Sequence, residues 1–274
     1  MKIKPGTFIK SLFLIVVCFV LFCPIFLVII NSFKTNPEIF SNTFGLPENF
    51  VFDNYRKALT EGGLGKAFVN STIITVISVA LIVMLSTFAA YTFSRSNMKG
   101  KVFFYTLFIL GMSIPTHVGL LQLYKTLDMY HMTNTRVGLV AAYVAMGMPF
   151  SVFVMTRFFS GIPKEIQESA VMDGCNNYRL YANIIIPLSP TIIVTVIIVN
   201  AVMVWNDMLY PMIFISSRDL KPLPTALMAF QGEFLSQYNM MFAGAVLASL
   251  PLVIIFLLLQ KQFIQGMTEG AVKG

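Results

Sequence analysis

An all-α membrane protein crossing the bilayer by six transmembrane helices is the fold class this sequence predicts, on three observations. Of its 274 residues, 57% are hydrophobic and 11% charged, against roughly 45–50% apolar and about 25% charged in soluble domains. Mean hydropathy is +0.78. Six apolar stretches, near 11–30, 67–94, 102–124, 137–156, 187–210 and 240–259, reach the length of about 20 residues that a helix needs to cross the hydrocarbon core. The chain from 1 to 274 therefore reads as a single transmembrane domain with little left for a soluble module.

The first stretch follows Lys2, Lys4 and Lys10 and resembles a secretory signal. It is long for one, and no small-residue cleavage site follows, so it is expected to remain as an anchor. Between the first and second stretches, 31–66 carries Pro37, Gly45, Pro47, Gly62, Gly63 and Gly65 among scattered charges, the composition of an outer loop with short structured pieces. The later stretches hold Gly and Pro inside them (Gly111 and Pro115, Gly138, Gly147 and Pro149, Pro251), which membrane helices tolerate at kinks and close contacts. With the N-terminus inside, eleven Lys and Arg fall on inner segments and eight on outer ones, four of the eight in the long 31–66 loop. Long loops weigh little in the positive-inside rule. Both termini are expected in the cytoplasm.

Several function classes drop out. The net charge is +7, but Lys and Arg flank the apolar stretches as topology signals do, and no basic run accompanies aromatic platforms, so nucleic acid is not an expected partner. Cys18 and Cys23 lie five apart on one helix and Cys175 in a polar loop, which is no disulfide framework. His117 and His131 lack further ligands at metal spacing, and no metal site is expected. The segment Gly62–Ala67 approaches a phosphate loop and fails it. Thr60 stands where the first Gly is needed, Ala67 where a Ser or Thr would hold magnesium, and no strand precedes it. No arrangement of His, Asp, Glu, Ser or Lys within the stretches suits catalysis, so the chain is not expected to be an enzyme.

Between the fourth and fifth stretches lies a polar segment, 157–186, and residues 163–173 in it read as a short helix. Pro163 suits its first position, Glu165 and Glu168 its positive end, and Gly174 its break. Ile162, Ile166 and Ala170, four apart, form one apolar strip. On periodicity alone an interfacial helix lying on headgroups is the favoured reading. A second helical piece, Asn176 to Ile186, leads to Pro187. Glu168, Ala170, Gly174, Ile184 and Pro187 sit at the spacing of the E-A-A, three residues, Gly, nine residues, I-x-L-P pattern, with Ser169 and Ile186 as mild departures. This loop resembles the coupling loop of ABC importer permeases. Thr156–Gly174, Trp205–Phe214 and Pro251–Gly274 look like the carbohydrate-uptake branch, and the GMTEGAVKG ending is similar to that of its maltose-transporter G-type permeases.

The resemblance implies the ABC importer type I permease fold, in the membrane of a bacterium. It implies a second, homologous permease, an ATPase dimer, an extracellular solute-binding protein and a carbohydrate cargo, a di- or oligosaccharide above all. ATP and Mg would sit on the ATPase subunits, and this chain would bind no cofactor. Ile166, Glu168, Ala170, Asp173, Gly174 and Pro187 would couple the loop to the ATPase. Gly266, Thr268, Gly270 and Lys273 would contact it from the C-terminal tail. Asp207 is the acidic residue placed deep in an apolar stretch. An ionisable group there faces a cavity or a partner, and with Trp205, Asn206 and Tyr210 it offers a face and acceptors for a sugar. The alternative is a structural Asp207, capped or paired near the outer surface. A stand-alone secondary transporter or channel is the competing function. It leads one to expect inverted repeats or several buried charges to couple ions, and Asp207 stands nearly alone.

Overall fold

The computed structural model describes residues 5–96, 98–115, 118–230 and 237–271, with side chains over 10–96, 98–115, 118–230 and 237–261. The expected all-α architecture is present, with no strand among the described residues. The chain divides into two compact units, one of 1–68 and 223–251, the other of 69–222 and 252–274.

In the first unit, α1 (Pro5–Asn31) is apolar from Leu12 to Ile30, and two short helices, α2 (Asn36–Ser41) and α3 (Asp53–Thr60), supply the structured pieces expected of the outer loop. What holds this loop is polar. Lys34 is fully buried, and its Nζ donates to the carbonyls of Asn42 and Gly45 at 2.5 and 2.7 Å. Asn54 Nδ2 donates to the carbonyls of Ser32 and Lys34, both at 2.9 Å, and its Oδ1 accepts from Asn239 Nδ2 at 2.9 Å. Backbone that leaves a helix must find such partners when buried. On α3, Arg56 and then Lys57 hold the exposed Asp53 carboxyl below the usual carboxylate range.

α4 (Leu64–Arg95) runs from the first unit into the second. α5 (Lys101–Ser113) follows, then α6 (Leu120–Met129), α7 (Arg136–Ser160) and α8 (Lys164–Met172). Next come α9 (Asn177–Leu180), a π turn over Tyr181–Ile185, α10 (Pro190–Asn206) and α11 (Leu209–Phe214). A short α12 (Leu223–Leu227) precedes the last long helix, α13 (Tyr238–Ala271).

Two expected spans need correction. The stretch 102–124 is not one helix. α5 ends at Ser113, and the chain resumes as helix only at Leu120. Pro115 lacks an N–H and drives the preceding Ile114 to extended backbone, φ −83° and ψ 118°. Thirteen residues of α5 rise about 20 Å, short of a hydrocarbon core about 30 Å thick. The stretch 187–210 likewise begins late, because α10 starts at Pro190 and ends at Asn206. Among the described residues four helices are long and apolar enough to span: Lys10–Asn31, Leu64–Arg95, Arg136–Ser160 and Tyr238–Lys261. A fifth arises if Asn177–Ile185 and Pro190–Asn206, bent by 81°, count as one broken span.

The core of the second unit has two apolar clusters. One gathers Ile74, Leu139, Tyr143, Val204, Tyr210 and Phe214, the other Ile82, Ala90, Met155, Phe159, Ile185 and Val196. Gly147 of α7 lies against Ile82 of α4 and Asn200 of α10. There Asn200 Nδ2 donates to Ser151 Oγ at 3.0 Å, and Ser151 Oγ to the Gly147 carbonyl at 2.7 Å. Small residues and a polar bond are how helices meet without a hydrophobic driving force from water.

Candidate functional site

α8 is a nine-residue helix that ends as its sequence requires. Gly174 sits at φ +81°. Its N–H bonds the Val171 carbonyl at 3.0 Å, and that of Cys175 bonds the Ala170 carbonyl at 3.0 Å. This paired closure favours Gly because the left-handed backbone strains other residues. Nothing lies within 4 Å of where a Cβ would stand on Gly174, so the constraint is conformational and not one of space. Asn176 then caps α9, its Oδ1 accepting from the Arg179 N–H at 2.9 Å. The π turn follows, with Ile186 N–H on the Tyr181 carbonyl at 3.0 Å. Pro187 lies exposed in the bend before α10.

The apolar strip expected on α8 faces two ways. Ala170 is 6% exposed and Ile162 packs on the apolar core, so these two anchor the helix to its own chain. Ile166 is 38% exposed, and Glu168 and Asp173 are exposed beside it. Met172, 86% exposed, Tyr178, 71% exposed, and Val171 are the other large apolar side chains that α8 and α9 expose. Sequence reasoning missed Met172 and Tyr178. The available signal was a Met and a Tyr flanking the Gly174 turn in a segment that is otherwise polar.

The Asp207 cluster is brought together differently from expectation. Asp207 ends α10 in extended backbone, φ −69° and ψ 129°. Its Oδ1 accepts from the Leu209 N–H at 3.2 Å, its Oδ2 from the Tyr210 N–H at 3.1 Å and from Tyr143 OH at 2.8 Å. Tyr143 and Tyr210 stack with ring centroids 5.8 Å apart. Trp205 and Tyr210 are buried within the chain, and only Asn206 and the half-buried Asp207 remain open, so the two aromatics do not offer the sugar-stacking face expected of them. Asp207 closes the start of α11 and satisfies a buried hydroxyl. Asp207→Ala is expected to lower the melting temperature of the purified permease. It removes a cap of about 1 kcal/mol and strands a buried hydroxyl at about 1–3 kcal/mol. Tyr143→Phe added to it recovers part of the loss by removing that hydroxyl. Equal melting for wild type and Asp207→Ala would refute the structural role.

In the tail, the backbone is helical through Ala271, so Gly266, Thr268 and Gly270 lie on the last turns of α13. Lys273 lies outside the described residues, as does His117, and side chains beyond Lys261 are likewise not described.

Comparison with known proteins agrees with this architecture. Residues 82–269 match the family of binding-protein-dependent transport system inner membrane components. The chain is 34% identical over 272 residues, 99% of each chain, to the probable starch degradation products transport system permease protein AmyC of Thermoanaerobacterium thermosulfurigenes. It is 33% identical over 254 residues, 92% of each, to the melibiose/raffinose/stachyose import permease protein MelC of Bacillus subtilis. Its fold superposes with a TM-score of 0.84 at 19% identity on a chain from a bacterial ABC transporter involved in the import of the acidic polysaccharide alginate, over 96% of this chain and 99% of that one. With a matching family over most of its length and apolar spanning helices, the chain belongs to the binding-protein-dependent transport system inner membrane components and is a multi-pass permease of an ABC importer.

Proposed function

We propose that this permease forms, with a second homologous permease, the path by which a neutral oligosaccharide enters a bacterial cell. A solute-binding protein delivers the sugar outside, and an ATPase dimer docked on α8 supplies the work inside. ATP and Mg are held by those ATPase subunits. Both termini are cytoplasmic, and the end of α13 faces the ATPase. The observation that carries this reading is the outward surface of α8 and α9. A short, sharply ended helix presents Val171 and Met172, the following α9 presents Tyr178, and Glu168 and Asp173 are exposed in the same segment. Exposed apolar anchors rimmed by charge suit a protein partner. The oligosaccharide class is supported by AmyC and MelC, whose names specify starch degradation products and melibiose, raffinose and stachyose.

The test is purification of the tagged permease from its own membranes, followed by uptake in proteoliposomes with maltotriose, raffinose and an alginate trisaccharide. Co-purification of an ATPase and ATP-driven uptake of a neutral sugar are expected. Glu168→Cys should react with an impermeant thiol reagent in inverted vesicles and not in intact cells. Labelling from outside, or uptake without an ATPase, would overturn the proposal.

A further inference from the structure

We infer that α4 is the element through which movement of the α8–α9 loop enters the helix bundle, with Arg95 and Tyr181 as the positioning residues that grip the loop at its two ends. This rests on the coupling role proposed above. Both covalent ends of the loop are jointed. Ahead of α8, Gly161, Ile162 and Pro163 separate it from the end of α7 at Ser160. Beyond the π turn, the chain bends by 81° before α10. A joint that breaks the helical hydrogen-bond ladder transmits displacement poorly, whereas an unbroken helix moves as a rod.

α4 bridges both joints from one side. At the first, Arg95 Nη2 donates to the carbonyls of Phe159 and Ile162, the last turn of α7 and the middle of the joint. A guanidinium suits this place, since the carbonyl end of a helix attracts cations and the planar fork fixes direction. Arg95 Nε is buried there with no hydrogen-bond partner, a cost that buried polar groups rarely bear. At the second joint, Tyr181 opens the π turn, and its hydroxyl lies 2.8 Å from Thr87 Oγ1. Thr87 Oγ1 is also 2.8 Å from the carbonyls of Val83 and Met84, so its proton goes to the backbone and the Tyr181 O–H donates to it. The Tyr181 ring stacks on Phe88 at 4.6 Å and meets Tyr91 edge-on at 5.5 Å. Phe88, Tyr91 and Arg95 recur at helical spacing, so one face of α4 holds both grips.

The π turn also meets α10, with Ile185 and Val196 in one apolar cluster and Ile186, Ile192 and Ile193 packed against it. A cavity of about 640 Å³ is lined by Thr87, Tyr181, Ile186, Ile193 and Ile197. Single π turns are uncommon and concentrate at functional positions, and this one places Tyr181 against α4.

The experiment measures ATP hydrolysed per sugar taken up by the assembled complex in proteoliposomes, using whichever of maltotriose and raffinose the wild type imports. Arg95→Met removes both carbonyl bonds, Arg95→Gln keeps a planar N–H donor, and Tyr181→Phe removes one oxygen and keeps the stack. Arg95→Met is expected to raise ATP per sugar by about tenfold, the scale of charge-assisted hydrogen bonds, and Tyr181→Phe by about threefold, the scale of a neutral one. Arg95→Gln falls between Arg95→Met and the wild type. A merely structural role would lower the amount of complex and leave the ratio unchanged. If Arg95→Met yields no complex, Tyr181→Phe decides alone. A wild-type ratio in a fully recovered Tyr181→Phe complex overturns the inference. Failure of the proposed function shows instead in the wild type, as an absence of ATP-driven uptake.

Discussion

Gly147→Leu is expected to leave almost no folded permease in the membrane. A Cβ at Gly147 would stand 2.4 Å from Asn200 Oδ1 and 2.6 Å from Ile82 Cδ1, both closer than real Cβ contacts come. Neither neighbour can withdraw easily. Ile82 is fully buried in the apolar core, and Asn200 is buried and bonded to Ser151 and to the Val196 carbonyl. Forcing methylenes into a packed core costs about 1–3 kcal/mol or more, and losing the bond between α7 and α10 adds roughly 0.6–2 kcal/mol. Three helices meet at this point, so the damage spreads to α4, α7 and α10 together. Gly147→Ala, which adds the Cβ alone, should fall between. Yield and melting temperature of the solubilised protein measure the series, and a wild-type yield for the Leu variant would contradict the packing.

Met172→Asp should stop transport while the permease stays folded and inserted. Met172 is 86% exposed, and exposed substitutions of this kind usually change stability by less than about 0.5 kcal/mol. Docked on a partner, the same position is a different matter. An apolar anchor at the centre of an interface is worth about 2 kcal/mol or more, which is roughly thirtyfold in affinity, and a carboxylate there must also lose its water. Glu168→Gln should cost less, because rim charges act mainly on association rate. Gly174→Leu has space but must adopt φ +81°, at about 1–2 kcal/mol. Recovery of the ATPase with each tagged variant, set against permease abundance, is the measurement. Full recovery with Met172→Asp would remove α8 from the docking surface.

Much of the polar loop 157–186 was legible because its punctuation is local. Pro163 before a helix, Gly174 after it and the cap at Asn176 each act through backbone geometry within a few residues, and α8 and α9 begin and end where those residues direct. The face of α8 was not legible. Periodicity identifies Ile162, Ile166 and Ala170 as one strip, but which side turns to its own chain depends on partners distant in sequence, such as the cluster of Ile82, Ala90 and Val196 on which Ile162 packs. The same limit applies to Tyr210, whose ring stacks on Tyr143, more than 60 residues away. The stretch 102–124 was misread for the opposite reason. Hydropathy averages over Pro115, whereas the backbone cannot, and the helix stops. Arg95 counted only as a topology charge, because nothing near it in sequence indicates the carbonyls of α7 that it meets.

The jointed ends of the loop bear on how such a permease changes over generations. Residues that turn inward, Ala170, Leu180, Tyr181 and Ile185, are tied to the bundle, and altering any of them demands a matching change elsewhere in the chain. Met172 and Tyr178 turn outward and carry no such debt. Because helix register is interrupted before Lys164 and again before Pro190, substitutions on the outward surface leave the register of the membrane helices unchanged. If an ATPase docks on this face as proposed, the loop is an exchangeable part: a handful of surface substitutions would refit it to a different motor and leave the membrane path as it is.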